Sequence, residues 1–281
     1  MAESIKSVYA LRETTILISR FNDLLNKTQG TFNWLDLGCG NGEVVNHLNH
    51  VGSPENRNRV CYTGVDVNST GFSSIREYAV TANLRQVNLL NENVYTSLND
   101  VIEYGPFNLI TIINLIHELD PLKIFGLITK AITLLNDNGL LFIFDCETIK
   151  SPELNSIPWE ASEFSSLIGM IFKYFAGCNP ADWIASYTLS STIAWELSFS
   201  RNYINIPNED LITLFTRSKN EARELVFEIL NSKKGTCHDN LVALSRSVAE
   251  TGKESQEAPH ALHVFWAVSH YLEDHNENTY H

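Results

Sequence analysis

The chain has 281 residues, of which 44% are hydrophobic and 19% charged, and 20 Lys and Arg against 33 Asp and Glu leave a formal net charge of −13. That apolar share is enough to bury a core and excludes wholesale disorder, and the acidic balance removes the broad basic footprint that binding to a polyanion needs. Apolar runs such as Phe107 to Ile116 and Leu167 to Phe172 are too short, or too interrupted by Asn, Thr and Lys, to cross a bilayer, so no membrane partner is expected.

The opening Met1-Ala2-Glu3-Ser4-Ile5-Lys6 lacks a basic stretch, an apolar core and a small-residue cleavage site, which predicts a mature cytoplasmic protein. Apolar positions at Val8, Leu11, Ile16, Ile18, Phe21 and Leu24 predict a leading helix over residues 3–27, stopped by Gln29-Gly30. Five β-rich runs follow: Asn33 to Leu37, Val60 to Val67, Leu84 to Leu90, Phe107 to Asn114 and Gly139 to Asp145. Helices are expected to start near Gly42, Ser69, Glu92 and Asp120. Strands that alternate with helices and read as near-continuous apolar runs, as in Leu109-Ile110-Thr111-Ile112-Ile113, define a doubly wound, mostly parallel α/β sheet buried on both faces. Ligands of such sheets bind beyond the carboxyl ends of the strands, where the winding direction switches.

After Asp145 the alternation stops. Phe164, Leu167, Ile168, Ile171, Phe172 and Phe175 make one helical face. A second helix is expected from Glu209 to Lys233, ended by Lys233-Lys234-Gly235, and two more near 240–249 and 259–273, with a loop over 250–257. Trp195, Leu197, Phe199 and Tyr203 alternate with polar residues and predict a further strand. The organisation expected is a leading helix over 1–29, an α/β core over 30–150, and a mainly helical region over 151–281 that caps the strand ends or forms a homodimer face. Trp159, Phe164, Phe172, Tyr174, Phe175, Trp183, Tyr187 and Trp195 could wall a pocket, although at helical spacing such rings more often fill a core.

Five scattered cysteines without a Cys-x-x-Cys pair suit neither a disulfide framework nor a thiolate zinc site, and only Cys237 has a basic neighbour, His238. His263 and His270 share a helical face with Asp274, but seven residues of helix rise about 10 Å, too far for one ion. No metal is expected.

The densest signal closes the first strand: Asp36-Leu37-Gly38-Cys39-Gly40-Asn41-Gly42-Glu43. Glycines at alternate positions let the chain turn sharply into a helix and leave no Cβ over the turn, which suits a nucleotide-like ligand. The dinucleotide pattern G-x-G-x-x-G fails because its third glycine falls on Glu43, and no Gly-Lys-Ser/Thr follows to make a Walker loop. Glu43 in the first helical turn would also repel a phosphate, so the ligand expected carries none.

This segment resembles the acidic-x-Gly-x-Gly-x-Gly loop of class I S-adenosylmethionine-dependent methyltransferases, and the resemblance runs from about residue 30 to 146. It implies a Rossmann-like fold with S-adenosylmethionine as cofactor, held by Asp36, Gly38, Cys39, Gly40, Asn41 and Gly42. It further implies Asp66 on the ribose hydroxyls with Val67 beside it, Asn88 and Leu89 at the adenine, and Asn114 at the end of strand four. In Asn114-Leu115-Ile116-His117-Glu118-Leu119 the chain departs from the Asn/Asp-Pro-Pro-aromatic loop of nucleic-acid amino-methyltransferases, and it is similar to a stretch of small-molecule O-methyltransferases. His117 and Glu118, just past a strand end, are the candidate catalytic bases, with Glu147 a third; the alternative for His117 is a packing role. A small-molecule acceptor is therefore expected first, a protein side chain second and nucleic acid third. The rival reading, a non-catalytic methyltransferase-like partner subunit, usually goes with loss of the glycines or of the strand-two acid, and this chain keeps both.

Overall fold

A computed structural model describes residues 17–48, 53–148, 155–173, 183–189, 192–204, 207–252, 255 and 257–277. Of the leading helix only residues 17–27 (α1) are described; the expected turns over residues 3–16 lie outside, as do Tyr174, Phe175 and Cys178. The strands are β1 (Phe32–Leu37), β2 (Val60–Asp66), β3 (Gln86–Asn91), β4 (Phe107–Ile113), β5 (Leu135–Cys146), β6 (Ile184–Leu189) and β7 (Thr192–Ser200). They form one seven-stranded sheet in the order β3-β2-β1-β4-β5-β7-β6. All four pairs from β3 to β5 are parallel, as expected for strands whose side chains are buried on both faces, such as β1 and β4. The sheet winds outward from β1 in both directions, so the switch point lies at the carboxyl ends of β1 and β4.

The chain divides into two compact units, and the division is not serial. The first comprises residues up to Asn114, Leu127–Phe144 and Glu196–Ile212; the second comprises Leu115–Gly126, Asp145–Trp195 and Thr213–His281.

In the first unit, α2 (Glu43–His47), α3 (Pro54–Arg57), α4 (Phe72–Thr81) and α5 (Val94–Ser97) alternate with the strands. The rings of Phe21, Phe32, Trp34 and Tyr62 are packed edge to face, with centroids 5.1, 5.5 and 4.8 Å apart along the chain of contacts. Arg59, just before β2, terminates α1: its guanidinium donates to the carbonyls of Leu25 at 2.8 Å, Thr28 at 2.7 Å and Gly30 at 3.2 Å. The Leu25 carbonyl is one that a helix end leaves without an intrahelical partner, and Thr28 and Gly30 belong to the segment that leads out of it. Arg59→Ala should therefore lower stability by about 2–3 kcal/mol, read as a shifted denaturant midpoint. Lysine should restore little, because a point charge cannot span three carbonyls.

Between β4 and β5 runs α6 (Pro121–Leu134), and in the second unit α7 (Ala161–Phe172) starts with a reciprocal capping box between Glu160 and Glu163. It buries Phe164, Leu167, Ile168, Ile171 and Phe172, the face that the spacing predicts. α8 runs unbroken from Asn208 to Thr251, so the expected stop at Gly235 does not occur. One helical glycine costs only about 1 kcal/mol relative to alanine, which the flanking turns outweigh. Lys233, read as a C-terminal cation, is instead buried against Glu163 with Nζ 2.8 Å from its carboxylate. α9 (Ala258–Glu277) follows. The strand expected around Trp195 is β7, shifted toward the N-terminus, and β6 before it was missed because its one ring, Tyr187, was counted with the helical region.

Trp159, Phe164, Phe172 and Trp195 are all fully buried, and Phe164 stacks on Trp195 at 4.3 Å. These rings are core. Half-buried Cys237 lies within α8, where burial pushes its thiol up rather than down. Among the described residues no group of three His, Cys, Asp or Glu could hold a metal ion, and no helix is long and apolar enough to cross a membrane.

Candidate active site

The glycine loop belongs to the first unit. Gly38 and Cys39 both donate their N–H to the Val65 carbonyl, at 2.8 and 3.1 Å, which carries the β1–β2 pairing past the strand end. Gly38, Gly40 and Gly42 then take φ values of 77°, 50° and 77°, a region costly to residues with a Cβ. At Gly42 a Cβ would also stand 2.4 Å from Cγ1 of Ile75, whereas at Gly40 it would meet nothing within 4 Å. The loop is thus pinned at one glycine and open at another, where a ligand can approach the backbone.

Two carboxylates flank this loop. Asp66, at the end of β2, accepts the Gly40 N–H on Oδ2 and the Asn68 N–H on Oδ1, each at 2.8 Å. Each oxygen keeps a further lone pair, the capacity a ribose diol requires. Val67 beside it is an exposed apolar residue, 67% accessible. Asp36 is only 3% exposed. It accepts the Thr111 hydroxyl at 2.6 Å and the Tyr62 hydroxyl at 2.9 Å, while Thr111 accepts the Trp34 indole N–H at 2.9 Å. Burial pushes its carboxyl up to about 6 against these two hydrogen bonds, with the charge of Asp66 adding to the rise. The structure therefore places Asp36 within a buried polar network. Cys39 lies under the loop too, its thiol raised by burial and by both carboxylates.

Asn88 and Leu89 lie in the middle of β3, opposite Thr63 and Gly64, and the Asn88 amide donates to Thr63 Oγ1 at 3.3 Å. β3 extends to Asn91, which pairs with Asp66 and donates to the Asp66 and Val67 carbonyls at 3.2 and 2.8 Å. Level with the ribose-type acid is thus Asn91. Asn114, immediately after β4, adopts φ 52° and donates its N–H to the Phe144 carbonyl at 2.8 Å. Asn tolerates this left-handed conformation better than most residues.

The second unit holds the other candidates. His117 is 8% exposed and sits in a short 3-10 turn, Ile116–Glu118. Its Nδ1 lies 2.6 Å from Oδ1 of Asp145, at the end of β5, and its backbone N–H donates to Oδ2 of the same carboxylate at 3.1 Å. Cys146 N–H donates to Asp145 Oδ1 at 2.7 Å. Nε2 of His117 is 3.8 Å from Glu118 Oε1. Asp145 is a residue the sequence reading missed; the available signal was an acid closing the apolar run Phe142-Ile143-Phe144, as Asp66 closes β2. Glu147, the third candidate base, accepts the Ala161 N–H at 3.0 Å and so sits at the start of α7, where helix polarity favours an anion. Residues 156–161 are stapled around this region: Ile157 donates to the His117 carbonyl at 2.8 Å, His263 Nε2 is 3.1 Å from the Ser156 carbonyl, and Trp195 donates to the Trp159 carbonyl at 2.8 Å.

A parallel sheet wound outward from β1, a glycine loop closing β1 and an acid closing β2 define the nucleotide-binding half of a Rossmann-like methyltransferase. A family model described as a methyltransferase domain matches residues 9–200, more than half of the chain, and the chain belongs to that family. As a member of it, the protein is a methyltransferase. No curated protein matches the sequence. Among solved structures, the chain is similar to the magnesium protoporphyrin IX methyltransferase of Synechocystis PCC 6803 with bound SAM, at 10% identity over 71% of this chain and 82% of that one, with a TM-score of 0.45. It is also similar to the plantazolicin methyltransferase BamL, in complex with a triazolic desmethylPZN analog and SAH, at 16% identity over 78% and 79% of the two chains, with a TM-score of 0.43. The residues found here fit the cofactor: the backbone is open at Gly40, Asp66 retains acceptor capacity, and Val67 offers an exposed apolar surface.

Proposed function

We propose that the protein methylates a small-molecule acceptor, with Gly38, Gly40, Gly42 and Asp66 holding S-adenosylmethionine and His117 serving as the base. When bound, the cofactor supplies an electrophilic methyl group. The observation that supports the acceptor class is the turn after β4. It is built on a buried imidazole clamped by a carboxylate at 2.6 Å, where enzymes that extrude a nucleic-acid base carry prolines and an aromatic ring. A net charge of −13 further opposes a polyanionic substrate.

Cofactor binding is tested first. Asp66→Ala removes the acceptor for the Gly40 and Asn68 N–H groups as well as the proposed ribose contact. Calorimetry should show S-adenosylhomocysteine affinity falling by about 10–100-fold. An unchanged affinity would remove Asp66 from the site. The acceptor is tested by incubating the protein and methyl-labelled S-adenosylmethionine with the metabolite, protein and RNA fractions of the source cells. Label entering the metabolite fraction is expected. Label confined to protein would establish the side-chain reading instead, and label in RNA would overturn the ranking.

A further inference from the structure

Gly71 is a glycine that its own backbone does not require. It closes the 3-10 turn Ser69–Gly71 between β2 and α4 with φ −79° and ψ −10°, a right-handed conformation open to any residue. At such a position alanine ordinarily stabilises, because it restricts the unfolded chain. Space is the reason for glycine here. A Cβ on Gly71 would stand 2.3 Å from the Gly40 carbonyl oxygen, 2.7 Å from the Asn41 Cα and 2.9 Å from Asn41 Oδ1, whereas an unbonded carbon and oxygen keep roughly 3.3 Å apart. The first two of these atoms are backbone, which cannot rotate aside as a side chain can.

A chain of hydrogen bonds delivers the turn to this point. Asp66 Oδ1 accepts the Asn68 N–H at 2.8 Å, Asn68 Oδ1 accepts the Thr70 N–H at 3.0 Å, and Asp66 Oδ2 accepts the Gly40 N–H at 2.8 Å. Gly40 is therefore held at its N–H by Asp66 and bounded at its carbonyl by Gly71. One helical turn on, Ile75 meets Gly42 in the same way, since a Cβ on Gly42 would lie 2.4 Å from Ile75 Cγ1. A Cβ on Gly40, by contrast, would meet nothing within 4 Å. All of these residues belong to the first unit.

We infer that Gly71 is a positioning residue for the cofactor: by lacking a side chain it lets the Gly40–Asn41 backbone settle against the start of α4, in the arrangement that both reaches Asp66 and stays open at Gly40. This rests on the cofactor reading proposed above and deepens it, because it places a determinant of affinity outside the glycine loop and outside the residues proposed to touch the ligand. Any side chain at position 71 moves the Gly40–Asn41 segment off the turn. A displaced Gly40 N–H then no longer meets the carboxylate that is proposed to hold the ribose.

The test compares the wild type with Gly71→Ala and with a control, Gly235→Ala, whose Cβ inside α8 meets nothing within 4 Å. Calorimetry should show S-adenosylhomocysteine affinity falling by about 5- to 100-fold in Gly71→Ala, the range set by forcing one more carbon into a packed contact, and unchanged in the control. Amide hydrogen exchange followed by NMR without any ligand locates the cause. Exchange at Gly40 should accelerate by about tenfold in Gly71→Ala, while Gly38 and Cys39, bonded to the Val65 carbonyl, keep their wild-type rates. Acceleration of all three together would make Gly71 a residue of the fold only and overturn the inference, as would unchanged affinity in a folded Gly71→Ala. If that variant does not fold, the wild type decides. A Gly40 amide already protected before ligand is added supports a loop set in advance by Gly71, and one protected only once S-adenosylhomocysteine binds overturns it. Failure of the wild type to bind S-adenosylhomocysteine would instead count against the cofactor reading, and the exchange pattern without ligand would still decide whether Gly71 sets the loop.

Discussion

His117→Ala should reduce methyl transfer into the metabolite fraction by about 10²–10⁴-fold, the usual contribution of a positioned base. Affinity for S-adenosylhomocysteine should stay within about twofold, because His117 is not among the residues proposed to hold the cofactor. The hydrogen bonds described for His117 run to Asp145 and Ile157, whereas the residues proposed to hold the cofactor are the loop glycines and Asp66. Single-turnover rates and calorimetry on the same preparation give both numbers, and a thermal melt separates lost chemistry from lost fold. If rate and affinity fell together, His117 would be a packing residue. An unchanged rate would remove it from the mechanism.

Asp36 should make stability depend on pH in the direction opposite to most acidic residues. Its carboxyl is raised from 3.8 to about 6, chiefly by burial, so the folded state holds a proton that the unfolded chain has already released between those values. Stability from this group is therefore fully present below about pH 4 and is lost as pH rises through about 6. At 1.36 kcal/mol per unit the loss is on the order of 3 kcal/mol at neutral pH. Urea unfolding of wild type and Asp36→Asn across pH 4 to 8 should show the wild type losing stability relative to the variant as pH rises, and the difference levelling off above about pH 7. Parallel curves would mean that the hydrogen bonds from Thr111 and Tyr62 fully offset the burial.

The amphipathic periods and the glycine spacing are local properties, and they carried most of the fold. β1, β2 and β4 lie within a residue of their expected ends because each is a short apolar run bounded by turn residues. The Asp36–Gly42 segment pointed to the cofactor through its resemblance to the glycine loop of a known family, whereas its spacing alone suggested only a nucleotide-like ligand without phosphates. β3 was harder to place: its residues are only partly buried and its apolar signal is weak, so the run expected from Leu84 to Leu90 is displaced from the observed Gln86–Asn91 at both ends. The break predicted at Gly235 failed for a related reason, since a single glycine is a weak signal against flanking turns that continue the helix.

What the amino-acid order determined by itself was the class of sheet, the loop at the end of β1 and the choice of His117 as a candidate base, all of which depend on neighbours in the chain. Only the tertiary structure decided what those side chains do. Asp36, which follows the same local rule as a cofactor acid, is drawn into a network with Tyr62 and Thr111, residues 26 and 75 positions away, because parallel pairing brings β2 and β4 to either side of β1. Asp145 reaches His117 across 28 residues because both stand just beyond the paired ends of β4 and β5. Such contacts depend on strand register, which is set by burial of whole faces rather than by any residue's immediate neighbours.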